Sequence, residues 1–404
     1  MKRLLSIIAA AAVGLSFIFP ASAGRTRPKR HFLSWESSKR PEQYRRVMKK
    51  RVAQQRRFKV SRENTTRLQK SSFWNRQPYQ FSTPLIDGER IFVGADAGAF
   101  YAFDAARIKR LWKFKTEGPV NGKAAAADGT VYFGDSKAFV YALNEENGEE
   151  RWRVRLDSEV LATPLVQGAR LYVCDMSGRL YALDRQSGGE IWHTEQSDRG
   201  SGFSVRRASS PAAGDGSVVV GSAGGTVIAY RESDGSVRWA RQIGDKQSQI
   251  YDIDTKPLIE GGRIFVSSAD GQMKALDPAT GQVLWTADAG GVNDILFRDG
   301  RLYASGGGVL SAVDPATGDI FWQQDLETPE ISSPVAGEHF IAVASTVDKV
   351  YLIDSDTGDI IYERFVGKGS FGDPLVVADR LYLLANKSLL FEFKVKELPP
   401  RKRR

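Results

Sequence analysis

The side chains most able to do chemistry are few and scattered along the chain. Cys174 is the only cysteine, and the only histidines are His31, His193 and His339. One thiol cannot form an intrachain disulfide, and the strand-like run LYVCDMSG favours a buried Cys174. No histidine has cysteine or carboxylate companions at ligand spacing, so we expect no transition-metal site. The sequence therefore predicts neither a cofactor nor an enzyme.

Carboxylates are abundant, but most of them belong to a repeated turn. The pattern A-x-D-x-x-T-G-x-x-x-W spans Ala275–Trp285 and Ala312–Trp322, and variants of it recur through the chain. Asp, Thr and Ser can bond backbone groups around such a turn, and Gly accepts a positive φ. These acids therefore nominate no acid–base pair. The aromatic markers of the repeat are Trp74, Trp112, Trp152, Trp192, Trp239, Trp285, Trp322 and Tyr362. We expect them to pack neighbouring units together.

The elements that must position these turns are short strands. Runs such as RIFVGA, RIFVSS and RLYLLA are rich in β-branched and aromatic residues and are separated by Gly/Asp turns. Four strands in roughly 40 residues make one propeller blade. Trp74 to Phe393 holds eight such units. The sequence predicts an all-β, eight-bladed β-propeller of four-stranded antiparallel blades. We expect an N-terminal strand, the Trp74 segment, to complete the last blade and close the ring.

The two ends of the chain differ from this body in charge. Residues 1–23 resemble a signal peptide: Lys2 and Arg3 precede an apolar run that Pro20 breaks. An uncleaved anchor is the alternative, although the apolar run is short for a bilayer span. Residues 24–70 carry 17 Lys/Arg against three Glu and form a basic arm, either disordered or partly helical. The propeller is assigned to 71–396 and a basic tail to 397–404.

An export signal changes the meaning of the basic arm. The expected location is the periplasm, and there the counter-charge would be an anionic membrane surface or an acidic protein. Nucleic acid, the usual partner of so basic a segment, is disfavoured by export. The predicted location is peripheral to the outer membrane, without a lipoprotein cysteine after the apolar run.

The tryptophan motif resembles that of quinoprotein-like propellers, which include pyrroloquinoline quinone (PQQ) dehydrogenases and BamB, an outer-membrane protein assembly factor. Two stretches favour the BamB family. GFSVRRASSP at 202–211 resembles the family's segment of alternating apolar residues and Arg before a Ser-x-Pro, and YDIDTKP at 251–257 is similar to its D-V-D-T-x-P segment.

This resemblance implies a non-catalytic scaffold that supports insertion of outer-membrane β-barrels. Its two loops would dock on the barrel-inserting subunit of the assembly machine. The implied contacts are Phe203, Val205, Arg206, Asp252 and Asp254. Apolar side chains around a loop Arg suit an interface centre. Alternatively, Phe203 and Val205 pack inward while the two aspartates bond turn amides.

Two rival functions remain open. A PQQ dehydrogenase would share the repeat, but that family uses an adjacent cysteine pair, which a chain with one cysteine cannot supply. A generic envelope propeller that binds a ligand or glycan would differ from a BamB-like protein only in the two loop segments. The missing lipoprotein cysteine also departs from the BamB pattern.

Overall fold

The computed structural model describes residues 57–68, 82–195, 209–245, 252–253, 255–289, 291, 293–367, 369–386 and 388–398. Every regular element within these ranges is a β-strand, beginning with β1 (Arg57–Arg67). The same ranges contain no helix with the length and apolarity needed to cross a membrane.

The strands form four-stranded antiparallel sheets, which are the blades. Blade 1 contains β2 (Leu85–Asp87), β3 (Arg90–Ala95), β4 (Ala99–Asp104) and β5 (Lys109–Lys115). Blade 2 contains β6 (Ala125–Ala127), β7 (Thr130–Gly134), β8 (Phe139–Asn144) and β9 (Glu150–Arg155). Blade 3 contains β10 (Leu165–Gln167), β11 (Arg170–Cys174), β12 (Leu180–Asp184) and β13 (Glu190–His193). Blade 4 contains β14 (Ala212–Gly214), β15 (Ser217–Gly221), β16 (Thr226–Arg231) and β17 (Val237–Gln242).

The second half of the ring repeats this order. Blade 5 contains β18 (Leu258–Glu260), β19 (Arg263–Ser267), β20 (Met273–Leu276) and β21 (Val283–Ala287). Blade 6 contains β22 (Leu296–Arg298), β23 (Arg301–Gly306), β24 (Val309–Val313) and β25 (Ile320–Asp325). Blade 7 contains β26 (Val335–Ala336), β27 (Phe340–Ala344), β28 (Lys349–Asp354) and β29 (Ile360–Phe365). Blade 8 contains β30 (Leu375–Val377), β31 (Arg380–Ala385), β32 (Leu389–Leu398) and β1. The predicted eight-bladed propeller is thus confirmed.

The hydrophobic core lies between adjacent blades. The second and third strands of a blade are almost wholly buried, as in β7, whereas the fourth strand is mostly exposed, as in β9, where Trp152 is the one buried residue. One core cluster joins Tyr132 and Val140 of blade 2 to Leu171 and Tyr181 of blade 3. Each large apolar side chain buried in this way contributes about 1.5–3 kcal/mol. Packing therefore depends on having a neighbouring blade on both sides, which only a closed ring provides.

The ring is closed by an N-terminal strand, as predicted, but by a different segment. β1 pairs with β32 from Arg57↔Leu398 to Arg67↔Leu389, with one irregularity between Arg62 and Asn64. The assignment of the Trp74 segment to this position is wrong, because β1 already occupies the fourth place in blade 8. Trp74 itself lies outside the described residues. The predicted arm boundary at residue 70 is wrong for the same reason, since 57–67 belong to the ring.

Polar and aromatic contacts hold this closing strand. Glu392 on β32 is fully buried; it pairs with Arg380 of β31 and accepts a hydrogen bond from Asn64 Nδ2 of β1 at 2.6 Å. At the other end of β1, the Phe58 ring meets the Phe340 ring of blade 7 edge-on, with centroids 5.6 Å apart. The closing strand therefore joins blade 8 to its neighbour.

The repeated tryptophans lie between blades. In six successive blades the indole Nε1 donates to a backbone carbonyl of the next blade's turn, at 2.8 to 3.2 Å. The donors and acceptors are Trp112 to Glu145, Trp152 to Arg185, Trp192 to Glu232, Trp239 to Pro278, Trp285 to Pro315, and Trp322 to Ser355. Tyr362 of blade 7 has no such turn to meet, because β32 and β1 of blade 8 come from opposite ends of the chain.

Candidate functional site

The antiparallel order gives the ring two different faces. The segments that link the fourth strand of one blade to the first strand of the next, such as 116–124, all emerge on one face, here called the connector face. The turns between first and second strands and between third and fourth strands, such as 88–89 and 105–108, emerge on the other, here called the turn face. The repeated D-x-x-T-G turns lie on the turn face. The connectors on the other face differ in length from blade to blade.

Two adjacent connectors are much longer than most of the others. The connector from blade 3 to blade 4 covers 194–211, and the next covers 243–257. The connectors 116–124, 156–164 and 326–334 are roughly half as long. Long loops on a rigid frame are common places for binding residues. These two connectors contain both segments that the sequence predicted as docking loops.

The ends of the two long connectors are tied directly to one another. Ser209 Oγ donates to the Thr255 carbonyl at 2.8 Å and accepts from the Gly221 amide at 3.1 Å. Thr255 Oγ1 in turn donates to the Ser267 carbonyl at 3.0 Å. All of these hydroxyls are buried, so the bonds are shielded from competing water. These bonds therefore hold the ends of the two connectors, at Ser209 and Thr255, next to each other on the ring.

Most of the predicted contact residues fall in the part of the chain without a described position. Phe203, Val205, Arg206 and Asp254 lie outside the described residues. Asp252 is described: the residue is only 6% exposed, and its backbone carbonyl accepts a hydrogen bond from the Ala269 amide at 2.9 Å. Asp252 therefore lies in the wall of the ring, where the protein itself covers its carboxylate.

Ile253 and Gly221 are anchors that sequence reasoning missed. Ile253 is fully buried, and its amide donates to the Ser222 carbonyl at 3.1 Å. A Cβ on Gly221 would lie 2.3 Å from the Ile253 carbonyl, so only glycine fits there. The signal that could have found this pair is the Gly that ends the runs RIFVG, TVYFG and SVVVG.

A ring of polar residues surrounds the mouth of the central channel on the connector face. The first strands of neighbouring blades contact one another, so they line this channel. The residues just before them are Thr83, Lys123, Thr163, Ser210, Lys256, Asp294, Ser333 and Asp373. Several of these residues donate a hydrogen bond from the backbone N–H to the side chain of the corresponding residue in the next blade. The bonds run from Lys256 to Asp294 Oδ1 at 2.8 Å, from Ser333 to Asp373 Oδ1 at 2.8 Å, and from Asp373 to Thr83 Oγ1 at 3.0 Å.

Charges at the mouth balance each other. Burial lowers the pKa of Lys256, although Asp294 beside it acts in the opposite direction. Partial loss of hydration inside the channel mouth raises the pKa of Asp294, although this residue remains accessible to solvent. The hydrogen bond from the Lys256 amide lowers that pKa, and the nearby Asp373 carboxylate raises it. With Lys123 also contributing, two lysines and two aspartates share the mouth. The described residues include no group of three or more His, Cys, Asp or Glu side chains placed to hold a metal ion.

Cys174 is buried, as the surrounding sequence predicted. Burial and the nearby Asp175 carboxylate raise the pKa of its thiol. The thiolate is the reactive form of cysteine, so this side chain stays protonated and is a poor nucleophile.

Comparisons with known proteins agree with this architecture. The family model described as outer membrane protein assembly factor BamB matches residues 101–307 and 305–398. BamB of Yersinia pestis is 27% identical over 199 residues, which cover 47% of this chain and 51% of the relative. BamB of Vibrio cholerae serotype O1 is 31% identical over 185 residues, covering 44% and 48%. The chain thus spans about half the length of the curated relatives it matches.

Solved structures show the same fold in proteins of different function. The crystal structure of BamB from Moraxella catarrhalis superposes with a TM-score of 0.71 at 22% identity and covers 83% of this chain and all of that one. A europium-containing methanol dehydrogenase gives a TM-score of 0.66 at 13% identity, covering 80% of this chain and 84% of the enzyme. The fold alone therefore does not separate an assembly factor from an enzyme.

Proposed function

The chain belongs to the family of the outer membrane protein assembly factor BamB, and on this premise we propose that it is a non-catalytic scaffold for outer-membrane β-barrel assembly. It would hold a protein partner on its connector face. The observation that carries this proposal is the bond between Ser209 and Thr255, which joins the ends of two long adjacent connectors on a closed ring.

Rigidity at the base of a loop pair favours binding. Because the ring fixes where both connectors begin and end, fewer backbone conformations must be lost when a partner orders them. Phe203, Val205 and Arg206 would form the apolar and charged contact, with Asp254 close to them. Asp252 would act as an anchor for its connector rather than as a contact, since its side chain is buried. The proposed partner is the barrel-inserting subunit of the outer-membrane assembly machine.

The site chemistry supports a non-catalytic role. The lone thiol is buried and protonated, and the two lysines at the channel mouth are balanced by two aspartates. Neither arrangement supplies a poised acid–base pair.

The proposed location is the periplasmic side of the outer membrane. The basic arm that precedes the closing strand would add attraction to an anionic lipid surface, at about 1 kcal/mol for each Lys or Arg near that surface. A variant lacking residues 24–56 keeps β1 and should bind anionic vesicles more weakly than the mature chain. Equal vesicle binding by the two proteins would rule this contact out.

Replacing Arg206 by Glu should weaken binding to the purified barrel-inserting subunit at least tenfold. A reversed charge at the centre of an interface loses its partner and introduces repulsion, and tenfold corresponds to about 1.4 kcal/mol. Calorimetry or interferometry with both purified proteins measures this. The matched control is Arg298→Glu, an exposed arginine on the turn face, which should leave the affinity within twofold. Equal loss in both variants, or in neither, would contradict docking through the connectors.

A further inference from the structure

An open cleft of about 700 Å³ lies between blades 3 and 4 on the turn face. One wall is the first turn of blade 3 with Arg170 and Tyr172, and the other is formed by Gly216, the 231–233 turn and Arg238 of blade 4. Three arginines and one carboxylate, Glu232, line this cleft. Its lining is therefore net positive.

None of the three guanidiniums forms a salt bridge within the part of the chain that the structure describes. Arg170 donates to the Glu232 carbonyl, and Arg231 Nη1 donates to Ser236 Oγ at 2.9 Å. Arg238 Nη1 donates to the Asp215 carbonyl at 3.0 Å and to Ser217 Oγ at 2.5 Å. A guanidinium has five N–H donors, so each arginine is oriented by neutral oxygens and keeps donors and a full charge for a ligand.

Two of the equivalent arginines elsewhere in the ring lie beside acids of the next blade. Arg90 of blade 1 lies 3.8 Å from Glu145 of blade 2, and Arg301 of blade 6 lies 3.2 Å from Asp356 of blade 7. Arg170 begins the second strand of blade 3 just as Arg90 and Arg301 begin theirs. Arg170 bonds a backbone carbonyl of the next blade instead of a carboxylate. Arg263, which begins the second strand of blade 5, likewise has no salt bridge to another described residue.

Arg231, which lines the same cleft, departs from the repeated sequence of the turn. The corresponding residue in the other blades that have this turn is Asp or Asn, whose side chain accepts bonds from the turn amides, as Asp277 does from the Thr280 amide at 2.8 Å. Blade 4 has Arg231 there and caps its turn through Asp234 and the Ser236 amide instead, at 2.9 Å. In blade 4 the acid that caps the turn is replaced by an arginine that lines a cleft. This exception to the repeat indicates a function for the arginine.

We propose that this cleft binds a phosphate monoester group. Arginine forks match phosphate oxygens, and a phosphate carries about −1.5 to −2 charge near pH 7 with three strong acceptor oxygens. A carboxylate offers a single charge and two oxygens, fewer than three arginines can engage. The volume leaves room for the group to which the phosphate is attached. The ligand is a phosphorylated small molecule or the exposed phosphate of a lipid headgroup, and its site is independent of the connectors.

The test compares wild-type mature protein with Arg231→Asp. This substitution restores the acid found in the other turns, so it should keep or raise the thermal stability while removing two units of positive charge from the cleft. Glycerol 3-phosphate is titrated by calorimetry, and vesicles containing lipid A phosphates or phosphatidylcholine alone are tested by flotation. Arg298→Asp, on the turn face far from the cleft, is the charge-matched control.

We expect saturable binding of glycerol 3-phosphate by wild type and by Arg298→Asp, weakened at least tenfold in Arg231→Asp. Binding only to lipid A vesicles, lost in Arg231→Asp, would support the site and identify a lipid as the source of the phosphate. Binding to neither probe, or equal binding by Arg231→Asp, would overturn it. Arg206→Glu should bind the phosphate normally, so failure of this site is distinguishable from failure of connector docking.

Discussion

A chain that starts at residue 69 should fail to form a stable ring, whereas a chain that starts at residue 56 should keep the fold. The shorter variant lacks β1, so β32 loses its outer partner along its whole length. Glu392 keeps Arg380 but loses Asn64, and Phe58 no longer covers Phe340. An uncovered polar group and a lost apolar contact each cost about 1–3 kcal/mol, against a typical total stability of about 5–15 kcal/mol.

Gel filtration and thermal unfolding followed by circular dichroism measure this difference. The variant that starts at residue 69 is expected as aggregate, or as a monomer whose unfolding midpoint is at least 10 °C lower, about the effect of a few kcal/mol. An exposed edge in place of β1 also invites pairing between chains. The variant that starts at residue 56 is the control, because Arg56–Arg403 form one compact unit. Equal midpoints for the two variants would show that β1 does not close the ring.

The second large effect is expected from Gly318→Ala, at about 3 kcal/mol of lost stability. Gly318 has φ +80°, and a Cβ there would lie 2.8 Å from Cε3 of the Trp285 ring. A positive φ costs an alanine roughly 1–2 kcal/mol. Displacing the ring also strains the bond from Trp285 Nε1 to the Pro315 carbonyl, 3.1 Å long, worth about 1 kcal/mol.

Gly300→Ala separates these two causes within the same blade. Gly300 has φ +72°, yet nothing lies within 4 Å of the position that a Cβ would take there. This substitution should therefore cost only the backbone contribution, about 1–2 kcal/mol. Urea unfolding followed by tryptophan fluorescence gives both values. Equal losses in the two variants would mean that the close approach of Gly318 to Trp285 adds nothing to the stability of the ring.

The regular part of the ring could be predicted from the sequence because its signals are local. A run such as RIFVGA carries the composition of a buried strand in six residues, and the turn that follows the next strand repeats in most units. Strand number, antiparallel pairing and blade number follow from counting these signals. The location of the closing strand does not follow from local signals, because Asn64 of β1 and its hydrogen-bond partner Glu392 of β32 are 328 residues apart.

The composition of the closing strand also hid it. An outer strand buries only one side, and β1 has the sequence RFKVSRENTTR, in which Phe58 and Val60 are the only apolar residues. Its remaining side chains made it look like part of a charged arm. The arginine cleft was hidden for a different reason: Arg170 lies in blade 3, and only the assembled ring brings it beside Arg231 and Arg238 of blade 4.

The connector residues show the limit of a resemblance between short segments. Both segments that the resemblance predicted as docking loops lie on adjacent long connectors, whose ends are joined by the bond between Ser209 and Thr255. The resemblance did not indicate which residues of a segment are buried: Asp252 is buried, although it lies only two residues from Asp254 in the same short segment. Burial depends on the neighbouring blade, and a pattern within one segment does not contain that information.

The most direct measurement is site-specific photo-cross-linking in intact cells from single positions on each face of the ring. A photoreactive residue at position 203 or 205 probes the connectors, and one at position 88 or 299 probes the turn face with the same chemistry. Docking through the connectors predicts cross-links to the barrel-inserting subunit from 203 and 205 and none from 88 and 299. Cross-links to that subunit from the turn face alone, or from no position at all, would contradict it.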